Sequence, residues 1–308
     1  MIRALITGLA GFVGTHLSQY LASNGWEVAG FDQRQSTLPM TFTGDICDQS
    51  ALTSALAEAK PEVIYHLAGV LRPDRPEKFY TVHVLGTVTL FEAILEAGLK
   101  PVTLIASSSA VYGYGLGSRL ITEQFKLRPV THYAASKAAQ EIVALRYFGA
   151  YNLPVVCART FNLIGPRQSP DLACSGFARQ IALAEQAKSD ATILTGDLNA
   201  RRDFVDVRDA VRAYEMITAR GRPGQAYNVC SGKPVSIRDC LALMLGMSPL
   251  PLKTALDPSR LQENDVPLQI GSAKELQGCT GWKPEISLTQ SLSDLLEDWR
   301  HRVKLGME

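Results

Sequence analysis

The chain has almost no excess of either charge: 31 Lys and Arg stand against 30 Asp and Glu. That balance argues against a nucleic-acid or membrane surface, since both gather cations on one face. If the substrate is an anion, a few local arginines must hold it. Long apolar runs are missing too. None approaches the ~20 residues that span a bilayer, and the opening residues IRALITG carry no charged lead-in, apolar signal core or cleavage site, so a cytoplasmic protein is expected. Cysteine is sparse and scattered. Cys47, Cys157, Cys174, Cys230, Cys240 and Cys279 form no CxxC, no His cluster has metal-ligand spacing, and no metal is expected. Cys157 and Cys230 lie in apolar runs (LPVVCAR, AYNVC), where a cysteine behaves as a small buried hydrophobe. Internal repeats, low-complexity tracts and long linkers are also lacking.

What is present is an ordinary globular composition, 46% hydrophobic and 20% charged over 308 residues, enough for a substantial core. Strand candidates are Ile2–Thr7, Glu27–Asp32, Val63–Leu67, Val102–Ser107 and Leu153–Arg159. Each is a short continuous apolar run, as in parallel strands buried on both faces. Helical spacing falls between them, in Phe12–Ser23 and in Val84–Glu96 with its wide apolar face. This alternation predicts an α/β fold, a Rossmann-type doubly wound parallel sheet. Beyond about Asn162 the pattern loosens: Gly165–Pro170 and Asn199–Asp203 read as loops, Asp206–Ala219 and Ile237–Leu245 as helices, Ala226–Val229 as a strand. The expected organisation is a dinucleotide-binding domain over 1–165 with returns at about 203–230, and a smaller C-terminal substrate-binding lobe over 166–202 and 231–308.

Directly after the first strand comes TGLAGFVG. Gly8 suits a tight turn, Gly11 lets backbone approach a pyrophosphate, and Gly14 permits close helix–strand packing; the phosphates then sit on unsatisfied N–H groups at a helix N-terminus. Asp32 ends the second strand, where an acid binds the ribose hydroxyls of NAD and repels the 2′-phosphate of NADP. Arg34 could receive that phosphate, which leaves NADP open. Asp45, in the turn Gly44–Ile46, reads either as an adenine contact or as a turn residue.

Tyr133-Ala-Ala-Ser-Lys137 lies in a helical run, Thr131–Gly149. Positions i and i+4 share a helix face, so phenol and ammonium can meet one pocket. The lysine cation and the positive nicotinamide ring are expected to lower the tyrosine pKa and let it move a proton near neutral pH. Ser108, past the strand candidate Val102–Ser107, would orient the reacting oxygen.

With these pieces the sequence resembles the extended short-chain dehydrogenase/reductase family over essentially its whole length. TGLAGFVG, GDI, HLAG, SSSAVYG, YAASK, FNLIGP, RRDFVDVRD and GWKP carry the resemblance. TFNLIGPRQS, GDLNARRDFVDVRDAVRAY, AYNVCSG and TGWKPEISLTQSL bring it nearest to the GDP-4-keto-6-deoxy-D-mannose reductases. The resemblance implies a catalytic Ser108, Tyr133 and Lys137, with Ser107 and Ser109 as fallbacks for the serine. It implies an NAD or NADP site formed by Gly8, Gly11, Phe12, Val13, Gly14, Asp32, Arg34, Asp45, Ile46, Leu67, Ala68, Gly69, Tyr133, Lys137 and Thr160. It further implies substrate contacts from Ser109, Asn162, Arg202 and Arg260, a nucleotide-sugar substrate with GDP favoured, and a homodimer paired through the helices of Val84–Glu96 and Thr131–Gly149.

Several positions depart from the pattern. Dehydratases carry Glu where this chain has Ala110, which can neither give nor take a proton, and the cysteine of 3,5-epimerase/reductases is missing from the same loop. His83 replaces the Asn of the usual NVxGT. Arg260 is kept, but Gln262 stands where a second diphosphate-gripping arginine is usual, and Asp265 stands near the family's ribose-binding acid. Losing one charged contact weakens an anion site by about 1.5–3 kcal/mol. The leading expectation is reduction of a sugar 4-keto group. The alternatives are a 4-epimerase that recycles its cofactor, a reductase or dehydrogenase of a non-nucleotide carbonyl compound, and a non-catalytic NAD-binding module.

Overall fold

Six strands alternate with helices over the first half: β1 (Arg3–Thr7), β2 (Glu27–Asp32), β3 (Met40–Thr43), β4 (Val63–His66), β5 (Val102–Ser108) and β6 (Val155–Thr160). The computed structural model describes the chain apart from residues 36–39, 115, 116, 118, 190, 262–265 and 308. After an excursion through β7 (Asn162–Ile164), β8 (Thr192–Thr195) and β9 (Arg201–Asp206), the chain returns as β10 (Ala226–Val229). Seven of these strands form one sheet in the order β3-β2-β1-β4-β5-β6-β10, parallel throughout. Continuous apolar runs fit strands covered on both faces; all six residues of β6 are buried.

The crossovers are α1 (Phe12–Ser23), α2 (Gln49–Ala59), α3 (Glu77–Tyr80) continuing into α4 (Gly86–Glu96), α5 (His132–Tyr151) and, after α6 (Ala173–Ala187), α7 (Val207–Arg220). Leu17 and Leu21 of α1 join Val211, Tyr214 and Ile217 of α7 in one core cluster. Leu56 of α2, Leu90, Phe91 and Ile94 of α4, and Tyr147 of α5 build a second. Strand order reverses between β1 and β4, and ligands bind at the carboxyl ends of strands beside such a switch. Thr7, Asp32, His66, Ser108 and Thr160 all stand at or within the last residue of those ends.

The remaining elements are β11 (Pro234–Ser236), α8 (Ile237–Leu245), β12 (Lys253–Leu256), β13 (Leu268–Gln269), α9 (Lys274–Thr280) and α10 (Leu288–Lys304). β7, β9, β11 and β13 make a small mixed sheet, and β8 pairs with β12. Phe177, Ile181, Leu241, Leu292, Leu296 and Trp299 bury a third cluster there.

Two local readings change. Asn199–Asp203, expected as a loop, runs into β9. A charged residue can enter this strand because Asp203 is fully satisfied: its carboxylate accepts from the N–H groups of Ser231, Gly232 and Gly271. The helix expected from Val84 is part of a continuous helical run, Glu77–Glu96, interrupted by a π-helical turn at Thr81–Leu85. Before Val84 the run carries Glu77, Lys78, Thr81 and the buried polar His83, which break up its apolar stripe. By length and apolarity this run also meets the minimum for crossing a bilayer, yet Leu90, Phe91 and Ile94 pack inside the second cluster. Cys157 and Cys230 are buried, as expected, and all six cysteines are free thiols.

Candidate active site

The glycine turn is built for close approach. Gly8 has φ +75°, and a Cβ there would lie 2.8 Å from the Ala68 nitrogen. Gly14 sits in the first turn of α1, where a Cβ would meet the Gly8 and Leu9 carbonyl oxygens at 2.4 and 2.6 Å. Neither contact involves a side chain that can yield, so Gly14→Ala is expected to destabilise the fold by about 1–3 kcal/mol and to weaken cofactor binding. Denaturant melts and a reduced-cofactor titration check this; a wild-type melt would show that the turn relaxes freely. The N-cap of α1 is Gly11, with no side-chain hydrogen bond. The first N–H groups of the helix, at Phe12, Val13 and Gly14, therefore stay open to an anion, where the helix dipole favours one.

Asp32 closes the far side of that turn. Its Oδ2 accepts from the Ala10 N–H at 2.9 Å and its Oδ1 from the Arg34 N–H at 2.9 Å, with Arg34 Nε at 3.6 Å. The carboxylate is thus fixed at the end of β2, and Arg34 turns back onto it. Asp45 caps its own turn through the Cys47 N–H (2.8 Å) and accepts from Gln33 Nε2 at 2.7 Å. The side chain of Ile46 is buried and lies against Gly86. Leu67, Ala68 and Gly69 follow β4; the Ala68 N–H donates to Thr7 Oγ1 at 3.3 Å, and Gly69 faces His83 and the Lys137 ammonium. These residues form one continuous rim, and its glycine turn, uncapped helix end and fixed carboxylate fit a dinucleotide.

Across the rim stands Tyr133, at the start of α5. Thr131 caps the helix, its side chain accepting from the Ala134 N–H at 3.1 Å, and the helix presents Tyr133, Lys137 and Glu141 along one face. Three serines competed for a place beside Tyr133, and the end of β5 separates them. Ser107 donates to Glu141. Ser109 is buried and donates to Gln269 Oε1 at 2.8 Å. Ser108 faces the Tyr133 hydroxyl closely enough to pull its pKa down, and its Oγ accepts from the Ala110 N–H at 3.2 Å.

Lys137 is 5% exposed, and its ammonium donates to the Ala106 carbonyl and to Gln140 Oε1, both at 2.9 Å. Burial pulls its pKa down to about 8, with Glu141 opposing. The expected lowering of the Tyr133 pKa by this lysine is not met. Burial raises the phenol above its usual value, and only the Ser108 hydrogen bond pulls the other way. The phenol is therefore protonated at neutral pH, the state of a proton donor. Two histidines nearby are neutral: burial and the Lys137 cation push His83 to about 2 and His66 to about 3.

Two of the expected substrate contacts, Asn162 and Arg202, stand on the small sheet, whereas Arg260 lies in a short turn after β12 and Ser109 just past the end of β5. Asn162 on β7 donates to the Asp203 carbonyl at 3.4 Å. Arg202 on β9 donates to the carbonyls of Arg201 (3.0 Å) and Val266. Arg260 pairs with Asp257 at 3.2 Å. Gln262 and Asp265 lie outside the described residues. Thr160, at the end of β6, shares a 2.7 Å hydrogen bond with Tyr214.

Sequence reasoning missed Gln269, which exchanges two 2.8 Å hydrogen bonds with Ser109 and sits opposite Arg202 in the β13–β9 register. It joins the serine turn to the arginine strand. A lone amide in a segment of weak periodicity carries no sequence signal.

The chain is similar to several known proteins over nearly its whole length. The sequence model of the family described as GDP-mannose 4,6 dehydratase matches residues 5–295. GDP-6-deoxy-D-mannose reductase of Pseudomonas aeruginosa is 35% identical, with 98% of each chain covered. UDP-glucose 4-epimerase of Mycolicibacterium smegmatis is 32% identical over 98% of this chain and 99% of its own. Among solved structures, RMD from Pseudomonas aeruginosa complexed with NADPH superposes with a TM-score of 0.87 at 33% identity, covering 97% of this chain and 99% of that one. The chain belongs to the GDP-mannose 4,6-dehydratase family of extended short-chain dehydrogenases/reductases.

Proposed function

We propose that the protein is an NAD(P)H-dependent reductase of the 4-keto group of a nucleotide-linked 4-keto-6-deoxy sugar, with the GDP-linked sugar as first substrate. The observation that carries this reading is a Tyr133 phenol kept protonated by burial, facing Ser108, beside a turn that carries Ala110 two residues after that serine. Elimination of water needs an acid or base in that turn, and alanine supplies neither. When bound, the nicotinamide supplies the hydride. Ser108 orients the keto oxygen, and the Tyr133 phenol gives its proton to the oxygen as negative charge develops there. Lys137, with a pKa of about 8, stabilises the phenolate left behind.

Gly8, Gly11 and the first N–H groups of α1 would hold the pyrophosphate, and the fixed Asp32 carboxylate favours NAD over NADP. Asn162, Arg202 and Arg260 would take the substrate diphosphate, since guanidinium groups form the strongest contacts to such anions. We also propose the two-lobe division at about residue 165, a cytoplasmic location consistent with six free thiols, and a homodimer. Leu85 (55% exposed) and Ile142 (65%) supply apolar surface on the two helices that would pair.

The test is an assay of reduced-cofactor consumption with GDP-, UDP-, dTDP- and CDP-linked 4-keto-6-deoxy sugars, run with NADH and with NADPH. Stoichiometric consumption with the GDP sugar, faster with NADH, is expected. Interconversion of UDP-glucose and UDP-galactose without net consumption would replace the reading with 4-epimerisation, and no turnover of any nucleotide sugar would overturn it.

A further inference from the structure

His83 lies in the π-helical turn Thr81–Leu85 and is fully buried. Such turns insert one residue into a helix and recur at functional sites. Both ring nitrogens are engaged, and their partners fix the tautomer. Nε2 is 3.1 Å from the Val70 nitrogen. A backbone N–H can only donate, so Nε2 carries the lone pair and Nδ1 the proton. Nδ1–H therefore donates to Ser136 Oγ at 2.8 Å, and Ser136 Oγ–H donates to the Tyr133 carbonyl at 2.8 Å. Every hydrogen bond in this chain has one direction. It runs from the segment after β4, on the cofactor rim, to the first turn of α5.

Two more contacts tie the same residue to the site. The imidazole packs edge-on against the Tyr133 ring, centroids 5.8 Å apart. Gly69 lies so close that a Cβ there would be 3.0 Å from His83 Nε2. The His83 carbonyl accepts from Thr87 Oγ1 at 2.6 Å, Thr87 Oγ1 accepts from Gln140 Nε2 at 2.9 Å, and Gln140 Oε1 accepts from Lys137. Ring and carbonyl of one residue thus reach both Tyr133 and Lys137.

We propose that His83 is a positioning residue, which acts through Ser136 to hold the first turn of α5, and with it the Tyr133 phenol, in register with the Gly69–Val70 segment of the cofactor rim. The inference rests on the reading of Tyr133 as the proton donor. A residue that only filled space would be replaceable by any side chain of similar volume. A positioning residue needs its donor and its acceptor.

The test uses His83→Ala, His83→Asn and His83→Ala combined with Tyr133→Phe. Misplacing a reacting group by about 1 Å costs on the order of 10²-fold in rate, so His83→Ala is expected to lower kcat by about that factor with little change in KM. His83→Asn keeps an amide donor for Ser136 and is expected to recover much of the loss. In the Tyr133→Phe background His83→Ala is expected to have little further effect, because both act on one step. An unchanged kcat in His83→Ala, or a full additional loss in the double variant, overturns the proposal.

A second measurement needs no sugar: amide hydrogen exchange of the NADH complex. Faster exchange at Val70 and in the first turn of α5 of His83→Ala is expected, and unaltered protection there overturns the proposal. If the wild-type protein reduces no keto sugar, the functional reading fails, and exchange alone decides whether His83 holds the two segments together.

Discussion

Replacing Tyr133 by phenylalanine is expected to lower kcat by about 10²–10⁴-fold, the usual contribution of a positioned general acid, while NADH binding stays near wild type. Phenylalanine keeps the aromatic ring, so the edge contacts with Phe79 and His83, centroids 5.9 and 5.8 Å away, persist. What is lost is one hydroxyl, which faces Ser108. Because the phenol is raised above its usual pKa by burial, the wild-type residue carries its proton throughout the neutral range and needs no activation to donate it. Ser108→Ala should cost less, since it removes orientation of the substrate oxygen but leaves the proton. Steady-state rates of reduced-cofactor consumption measure both. A Tyr133→Phe enzyme within about tenfold of wild type, far inside the range expected for a lost general acid, would mean that the proton comes from elsewhere and that the YxxxK spacing on α5 is incidental.

The parts of the site that were legible in sequence are those where backbone geometry dictates residue type. Gly8 and Gly14 are readable because a Cβ would strike backbone at either position. The spacing of Tyr133 and Lys137 is readable because one helical turn separates them. Strands such as Val155–Thr160 are readable because burial on both faces demands an unbroken apolar run. Other features depend on partners distant in the chain. Three adjacent serines offer identical chemistry, and only the turn of the chain after β5 gives Ser107 to Glu141, Ser108 to Tyr133 and Ser109 to Gln269.

Asp203 looked like a loop residue because its charge is neutralised by backbone N–H groups about 28 and 68 residues further on. At Tyr133 the lysine alone does not lower the phenol. Proximity to Lys137 suggested a lowered pKa, but the ammonium spends two hydrogen bonds on Ala106 and Gln140, and burial dominates the phenol. His83 is visible in sequence as a departure from the usual NVxGT, yet its task appears only when Val70 and Ser136 are brought to its two nitrogens.

Arg159→Met is expected to destabilise the protein by about 3–5 kcal/mol, the cost of leaving one member of a buried ion pair uncompensated. Glu141 and Arg159 are 1% and 9% exposed, and the pair is bidentate: Arg159 Nη2 lies 2.7 Å from Oε2 and Nε 3.0 Å from Oε1. Arg159 Nη1 donates further to Tyr112 at 3.1 Å and to the Glu123 carbonyl at 3.0 Å. With the arginine gone, Glu141 keeps, among the described residues, only the Ser107 hydroxyl as donor, at a side chain 1% exposed. Methionine has nearly the same apolar length, so the loss measures charge rather than volume. Substituting both partners, Arg159→Met with Glu141→Leu, should recover much of the stability, because an apolar pair leaves no orphaned carboxylate.

Denaturant unfolding of the three proteins decides the matter. A single variant within about 1 kcal/mol of wild type, well below the cost of an orphaned buried charge, would show that the carboxylate finds water or another donor. The double variant should still differ from wild type in function. Glu141 stands one turn beyond Lys137 on the face of α5 that carries Tyr133, and its negative charge opposes the burial that pulls the lysine pKa down to about 8. Without it the ammonium loses its proton at lower pH, so the double variant is expected to fold well and to lose activity at a lower pH than the parent enzyme. Stability and activity then separate, because the pair anchors α5 to the strand ends while its acidic member keeps the active-site cation charged.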